Sequence, residues 1–332
     1  MDLSIIIVNY KTAQLVLDCI HSIYQFDYSG SEIIVVDNAS ADSLEEKLAA
    51  LYPGVRFIQM GYNSGFARAN NKGIQSSTGE VILLLNSDTI ILNNAIQNCY
   101  VQLVASKYVA CGVQLLNPDH SPQISGNFAM MGGMNYLLPL PYTGQIIKYL
   151  GELFKIRKPN VPDVSGVAEV DWINGAFLMV RKSAIEKAGL LDEDFFLYAE
   201  EAEWCSRIKN TGPLCIFGSE KIIHFQGSTA NDIFGSSGQG YFNLSDKKGL
   251  QIMLSNFVRI RKEFGVLWFL VIAFFYLFTI PFFLIVLIFS KLFSKSPSYN
   301  FDQWKGFMNN VFSTFTFIPR IINNKPYFYK VL

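Results

Sequence analysis

The sequence predicts an α/β fold: a sheet of mostly parallel strands with helices on both faces, followed by a separate apolar helix near the C-terminal end. Three observations carry this reading. Short apolar runs alternate with helical patterns through the first half of the chain. Three of those runs end in polar residues: Asn9, Asp37-Asn38 and Asn86-Ser87-Asp88. Val266–Phe289 holds 24 residues without a charge.

The elements follow in order. "LSIIIVNY" reads as a strand, and Thr12 to Phe26 carries apolar residues at helical spacing. "SEIIVVDNAS" is a strand closing on Asp37-Asn38. A helix follows over about 43–52, then the strand "VRFIQM", a loop, a helix opened by "NSGFARANN", and the strand "EVILLLN". Asn117–Asp163 is rich in Gly, Pro, Met and Tyr and reads as loops over a cleft. Order returns with a strand around 176–181, a short helix around 182–188, and a helix from Glu200 to Lys209 stopped by Gly212-Pro213. "LCIFGSEKIIHFQGS" reads as two short strands ending at His224, and Asn231–Gly240 as a flexible loop. Ligands of parallel sheets bind beyond the carboxyl ends of the strands, so the three polar clusters predict one site.

Composition narrows the function. Lys+Arg and Asp+Glu are both 27 in 332 residues, which argues against a nucleic-acid partner. Five cysteines are scattered with no CxxC pair, as expected for unpaired thiols in a reducing compartment. The first apolar run, Ile5–Val8, is too short for a signal peptide. The Val266–Phe289 stretch would reach about 36 Å as a helix, enough for a hydrocarbon core of ~30 Å. Pro281 leaves two arrangements open, a kinked span or a re-entrant hairpin. Arg259, Arg261 and Lys262 before it and Lys291 and Lys295 after it blunt any charge asymmetry. The expected division is a catalytic domain over 1–245, a basic amphipathic helix over 246–265, the membrane segment over 266–290 and an aromatic-rich interfacial tail over 291–332.

Several motifs carry chemistry, each with a structural alternative. Asp88 reads either as a helix cap or as a ligand for a divalent cation that completes its shell with phosphate oxygens. Asp37-Asn38 reads either as an Asx turn or as an acceptor for a nucleoside. "GYNSGFARANNKG" reads either as a helix capped by Asn63 or Ser64, or as a diphosphate site with Arg68 supplying charge. It is no Walker A loop, and no GxGxxG follows the first strand. In "YAEEAEWCSRIK", Glu200, Glu203 and Arg207 share a face that reads as solvated. Glu201 instead lies with Trp204, Cys205 and Ile208 on the apolar stripe. An inward carboxylate in the first helical turn either compensates the dipole or serves as a general base. His224, with Gly227 and Ser228 behind it, is either structural or a metal ligand beside Asp88. His21 and His120 are poorer candidates.

In order, "SIIIVNY", "IIVVDNAS", "NSGFARANNKG", "LLLNSDT", "VDWINGAFLMVRKSAIEKAGLLDEDFFLYAEEAEWCSRI" and "HFQGST" resemble family 2 inverting glycosyltransferases of the GT-A fold, especially the rhamnosyltransferase-like branch. The resemblance covers about residues 3–229. It implies a GT-A, Rossmann-like mixed sheet and a nucleotide-diphospho-sugar donor. It also implies a divalent cation (Mg or Mn) and inversion at the anomeric carbon, with rhamnose a candidate sugar. On it, Asn9, Asp37, Asn38, Asn63, Gly65, Arg68, Asn70, Ser87 and Asp88 are expected to serve the donor nucleotide and diphosphate. Asp88 and His224 are the metal ligands and Glu201 the base. Asp171, Trp172, Asn174, Gly175, Ala176 and Glu200 are expected around the sugar and the acceptor. Two positions depart from the family pattern: Glu201 stands where Asp is frequent, and Asn86 where a fuller DxD motif has its first Asp. The expected acceptor is a saccharide or polyprenyl-linked saccharide reached from the cytoplasmic face of the membrane. The alternative is a membrane-anchored nucleotide-sugar-binding protein without activity.

Overall fold

The structure is a computed structural model and describes residues 2–26, 30–128, 134–155, 160–161, 163–225, 231, 234–236, 243–293 and 298–331. Lys295, Gly227, Ser228 and most of the Asn231–Gly240 stretch lie outside these residues. The chain divides into two compact units.

The first unit, 1–130, 159–196 and 200–226, holds the sheet. Its strands are β1 (Leu3–Asn9), β2 (Ser31–Asp37), β3 (Arg56–Gln59), β4 (Val81–Asn86), β5 (Thr89–Ile91), β6 (Ala110–Leu116), β7 (Gly126–Asn127), β8 (Asn160–Val161), β9 (Val167–Val170), β10 (Trp172–Ile173), β11 (Phe177–Arg181) and β12 (Leu214–His224). Among the described residues the main sheet runs β3-β2-β1-β4-β11-β6-β12-β5, with β9 on β12, while β10, β7 and β8 form a small second sheet. β3, β2, β1 and β4 are parallel. β11 enters antiparallel to β4 and β6, which makes the sheet mixed. The runs "IIIV", "IIVV" and "VILLL" are apolar at every position because both faces are covered. Ile5, Ile7, Val35, Leu83 and Leu85 enter one core; Ile6, Ile34, Val36, Ile82 and Leu84 enter the other.

Helices α1 (Ala13–Tyr24), α2 (Leu44–Leu51) and α4 (Ala95–Val104) cover the first face. Helices α3 (Gly65–Ser76), α6 (Lys182–Ala188) and α7 (Glu200–Lys209) cover the second. Two expectations change here. The segment ending at His224 is one strand, not two: its pairing with β6 continues past a register shift between Phe217 and Lys221, so a bulge replaces the expected turn. Asp88 caps no helix, because the antiparallel strand β5 follows it directly.

The second unit, 131–158, 197–199 and 227–332, is helical. Part of the region read as loops forms α5 (Thr143–Leu153) and the 3-10 turn Met134–Leu137. The long helix α8 (Lys247–Phe293) is broken at Gly265, with φ 84° and ψ 175°, a conformation reserved for glycine. Phe257 lies 5.5 Å from Phe269 and 4.9 Å from Tyr276 between ring centroids. In a straight helix Phe257 and Tyr276 would be about 28 Å apart, so the chain reverses at Gly265. The helix continues through Pro281 without reversing there. The expected basic flank is partly internal: Arg259 is buried and bonded to Glu263 at 2.8 and 3.1 Å, and Arg261 donates to the Ile322 carbonyl. The tail forms α9 (Phe301–Phe315), opened by an Asn300–Gln303 capping box, and α10 (Ile318–Asn323).

Candidate functional site

Three parallel strands end side by side, and their last residues lock to one another. Asn9 Nδ2 reaches Asp37 Oδ1 at 2.6 Å, Ser40 Oγ at 3.0 Å and Asp42 Oδ2 at 3.0 Å. Its Oδ1 accepts from Thr12, at 3.1 Å from the backbone and 2.9 Å from the hydroxyl. Asp37 Oδ2 accepts from Ser40 N and from Gln59 Nε2. The Asp37 carboxylate is 2% exposed as a residue and takes three hydrogen bonds from its own chain, which leaves one acceptor position open. Asn38 holds the next loop, accepting from the Ser64 amide and hydroxyl and donating to the Gly65 carbonyl. Ser64 thus stands at the helix cap position but spends its hydroxyl on Asn38 rather than on the helix.

The start of α3 docks onto the segment that leads to α7. The amide of Gly65 donates to Asn63 Oδ1, and that of Phe66 to the Phe196 carbonyl at 2.8 Å. Gly65 has φ +76°, and a Cβ there would overlap the Phe196 carbonyl oxygen, so only glycine fits. Arg68 donates to the Glu193 carbonyl at 3.2 Å and lies 3.8 Å from its carboxylate. Asn70 bonds back to the Phe66 carbonyl, and Asn71 exchanges hydrogen bonds with Leu191. In this structure the Arg68 guanidinium is turned to Glu193.

The two expected metal ligands come together. Asp88 follows β4, and His224 closes β12 opposite Thr89. The Phe225 amide donates to the Asp88 carbonyl at 2.9 Å, which fixes the two loops in register. His224 Nε2 stands 3.5 Å from Asp88 Oδ1, and both residues are buried. No cluster of three or more His, Cys, Asp or Glu occurs among the described residues. A cation here would complete its shell with substrate oxygens and water, which suits Mg²⁺ or Mn²⁺. Ser87 lies beside this pair and approaches the Thr12 hydroxyl at 3.2 Å, joining it to the β1 end.

The acids of α7 reach the same edge through one turn. Asn174 Oδ1 accepts from the Ala176 amide, and the Ala176 carbonyl accepts from the Asn86 amide at 3.0 Å. A Cβ on Gly175 would lie 3.3 Å from Glu201 Cγ. Asn174-Gly175-Ala176 therefore bridges the Asn86–Asp88 loop and Glu201. Glu201 is half-buried rather than turned to bulk solvent. Tyr198 and Ala199, just before α7, both have positive φ (72° and 69°), backbone strain of the kind found at functional sites.

Glu200 and Glu203 correct the solvated-face reading, for both are buried. Glu203 is gripped by Arg207 at 2.7 Å through two oxygens, and Arg207 also donates to the carbonyls of Ala188 and Leu190. Glu200 has no such partner: its Oε2 makes no hydrogen bond among the described residues. Burial first, then the neighbouring Glu201 charge, hold its carboxyl well above the usual glutamate range. The Asp171 carboxylate pairs with Lys209 at the far end of α7, and Trp172 Nε1 is buried without a partner among the described residues.

A mixed α/β sheet with polar strand ends, a paired carboxylate and imidazole, and a helix-borne acid define a GT-A-type domain. Residues 4–166 match the family described as glycosyl transferase family 2. The low-salt glycan biosynthesis hexosyltransferase Agl10 of Haloferax volcanii is 30% identical over 213 residues, 63% of this chain and 62% of the relative. The N-acetylglucosaminyl-diphospho-decaprenol L-rhamnosyltransferase of Mycobacterium tuberculosis is 26% identical over 222 residues, 60% of this chain and 68% of that protein. Among solved structures, the mannosyltransferase PcManGT from Pyrobaculum calidifontis in complex with GDP-Man and Mn²⁺ matches with TM-score 0.53 at 13% identity, covering 95% of this chain and 86% of that one, which shows the fold. The chain thus spans less than two thirds of the Agl10 relative's length.

Proposed function

We propose that the protein is an inverting glycosyltransferase. It moves a sugar, with rhamnose the first candidate, from a nucleotide-diphosphate donor to a hydroxyl of a saccharide or lipid-linked acceptor in cell-surface polysaccharide synthesis. The observation that carries this is the Asn174–Ala176 turn, which ties Glu201 to the loop bearing Asp88.

In this reading the locked β1–β3 ends form the nucleoside wall, and the open acceptor position of Asp37 takes a base N–H or a ribose hydroxyl. Asp88 and His224 would hold Mg²⁺ or Mn²⁺, which would supply positive charge beside the leaving diphosphate. Glu201 accepts the proton of the acceptor hydroxyl while that oxygen attacks the anomeric carbon from the face opposite the diphosphate. Glu200, its carboxyl held well above the usual glutamate range by burial and by Glu201, lines the sugar and acceptor side. Gly175 lets the backbone approach the reacting centre. The names of the relatives and the Mn²⁺ in the mannosyltransferase complex support this reading.

Membrane attachment is part of the proposal. One face of α8 beyond Gly265 is buried, while Leu267, Val271, Phe274, Phe278, Ile285 and Phe289 form an exposed apolar stripe on the other. It runs about 33 Å at helical rise. A second stripe, Ile146, Tyr149, Leu150 and Leu153, is exposed on α5. Five free, buried thiols support the cytoplasmic side. The test is a donor screen on the full chain, scored by nucleoside diphosphate release with acceptor extract, with and without Mn²⁺ or Mg²⁺. Activity that a chelator abolishes supports the reading; donor binding with no transfer under any condition supports a binding protein instead.

A further inference from the structure

We propose that Gln123 is a positioning residue: it fixes the His224 ring as the Nδ1–H tautomer and so keeps the Nε2 lone pair facing Asp88, ready for a divalent cation. This rests on the cation reading above, and it assigns a role to a residue outside every motif.

The argument is a count of protons. Gln123 Nε2 lies 2.7 Å from the His224 carbonyl oxygen and 2.7 Å from Asn117 Oδ1. Both amide protons are therefore used, and the orientation of the amide is set, because a flipped group would place its oxygen against two acceptors. Asn117 is oriented in turn by its own donation to Ser121 Oγ at 2.8 Å. The atom of Gln123 that faces His224 Nδ1, at 2.9 Å, is then Oε1, which only accepts. Nδ1 must carry the proton, and the neutral ring leaves Nε2 bare. The 3.5 Å gap from Nε2 to Asp88 Oδ1 is longer than an N–H···O bond, so no hydrogen bond holds a proton on that side. Two lone-pair donors, each in a buried residue, face one another across the gap.

The backbone makes this arrangement rigid. Gln123 is 5% exposed; its amide donates to the Leu115 carbonyl, and its carbonyl accepts from Gln114 Nε2 at 3.1 Å. Metal-binding histidines commonly give their second N–H to a carboxylate or carbonyl, and loss of that partner costs roughly 10- to 100-fold in metal affinity. An amide carbonyl does the same here without adding a negative charge.

The test reads the tautomer directly. ¹⁵N NMR of histidine-labelled, metal-free full chain at pH 8, with H224Q to assign the signal among three histidines, should show His224 as Nδ1–H. In Q123M the signal should move to Nε2–H, and Mn²⁺ affinity measured by EPR with a nucleoside diphosphate present should fall roughly 10- to 100-fold. A wild-type His224 in the Nε2–H form overturns the proposal whether or not Q123M folds. So does a folded Q123M that binds Mn²⁺ as tightly as wild type. Wild-type protein that binds no Mn²⁺ overturns the cation reading itself, and the metal-free tautomer tells the two failures apart.

Discussion

The two polar flanks of the site are built in opposite ways. At the ends of β1–β3, Asn9, Asp37 and Asn38 are held by hydrogen bonds from Thr12, Ser40, Gln59 and Ser64, with one acceptor position of Asp37 left open. On the other flank, Glu200 Oε2 makes no hydrogen bond among the described residues, and the Asp88 carboxylate has His224 Nε2 at 3.5 Å. Both flanks are buried, so the difference is not exposure. Buried polar groups that meet one another define shape; those that do not must gain by meeting a ligand. In the proposed reading the first flank is a wall and the second is where charge changes hands.

Substitutions should separate the two. The largest expected effect is D88N: transfer falls about a thousandfold, the several kcal/mol that a cation supplies to a leaving group, while the melting temperature holds. D37N acts the other way. It weakens a network whose hydrogen bonds each contribute about 1 kcal/mol, or about 1–3 kcal/mol when a buried partner is orphaned. Urea denaturation should show that loss, with donor affinity reduced alongside. G175A pushes on Glu201 Cγ, so kcat should drop about tenfold from displacement of the base, with donor affinity unchanged by calorimetry.

E200Q is the smallest effect and has a signed pH dependence. A carboxyl held above its unfolded pKa lends the fold stability that is fully present below the ordinary glutamate range. That stability is lost as pH rises through the folded value. E200Q and wild type should therefore melt together near pH 4, and E200Q should melt higher near pH 8. A variant less stable at pH 8 would mean that Glu200 is ionised and paired.

Much of the sheet was legible in the sequence because apolar strands and polar strand ends are local signals. The helix over 200–209 was legible for the same reason, whereas the meeting of Asp88 with His224 was expected from the family resemblance and not from a local signal. What was not legible depends on distant partners. Glu203 looks solvated until Arg207 is seen to bond Ala188 and Leu190 as well. The contact of Arg68 with Glu193 depends on the passage of a segment 125 residues away. Gln123 carries no motif; its signal is a three-way hydrogen-bond count that only coordinates provide. The reversal at Gly265 was hidden because a glycine inside a helical pattern does not announce a turn.

The central claim is that Glu201 acts as the base at the edge held by Asp88 and His224. The measurement that tests it most directly is single-turnover transfer by E201Q, with donor binding measured in parallel. The account predicts donor affinity within about twofold of wild type and a transfer rate lowered by about 10²–10⁴. Transfer at the wild-type rate would contradict it.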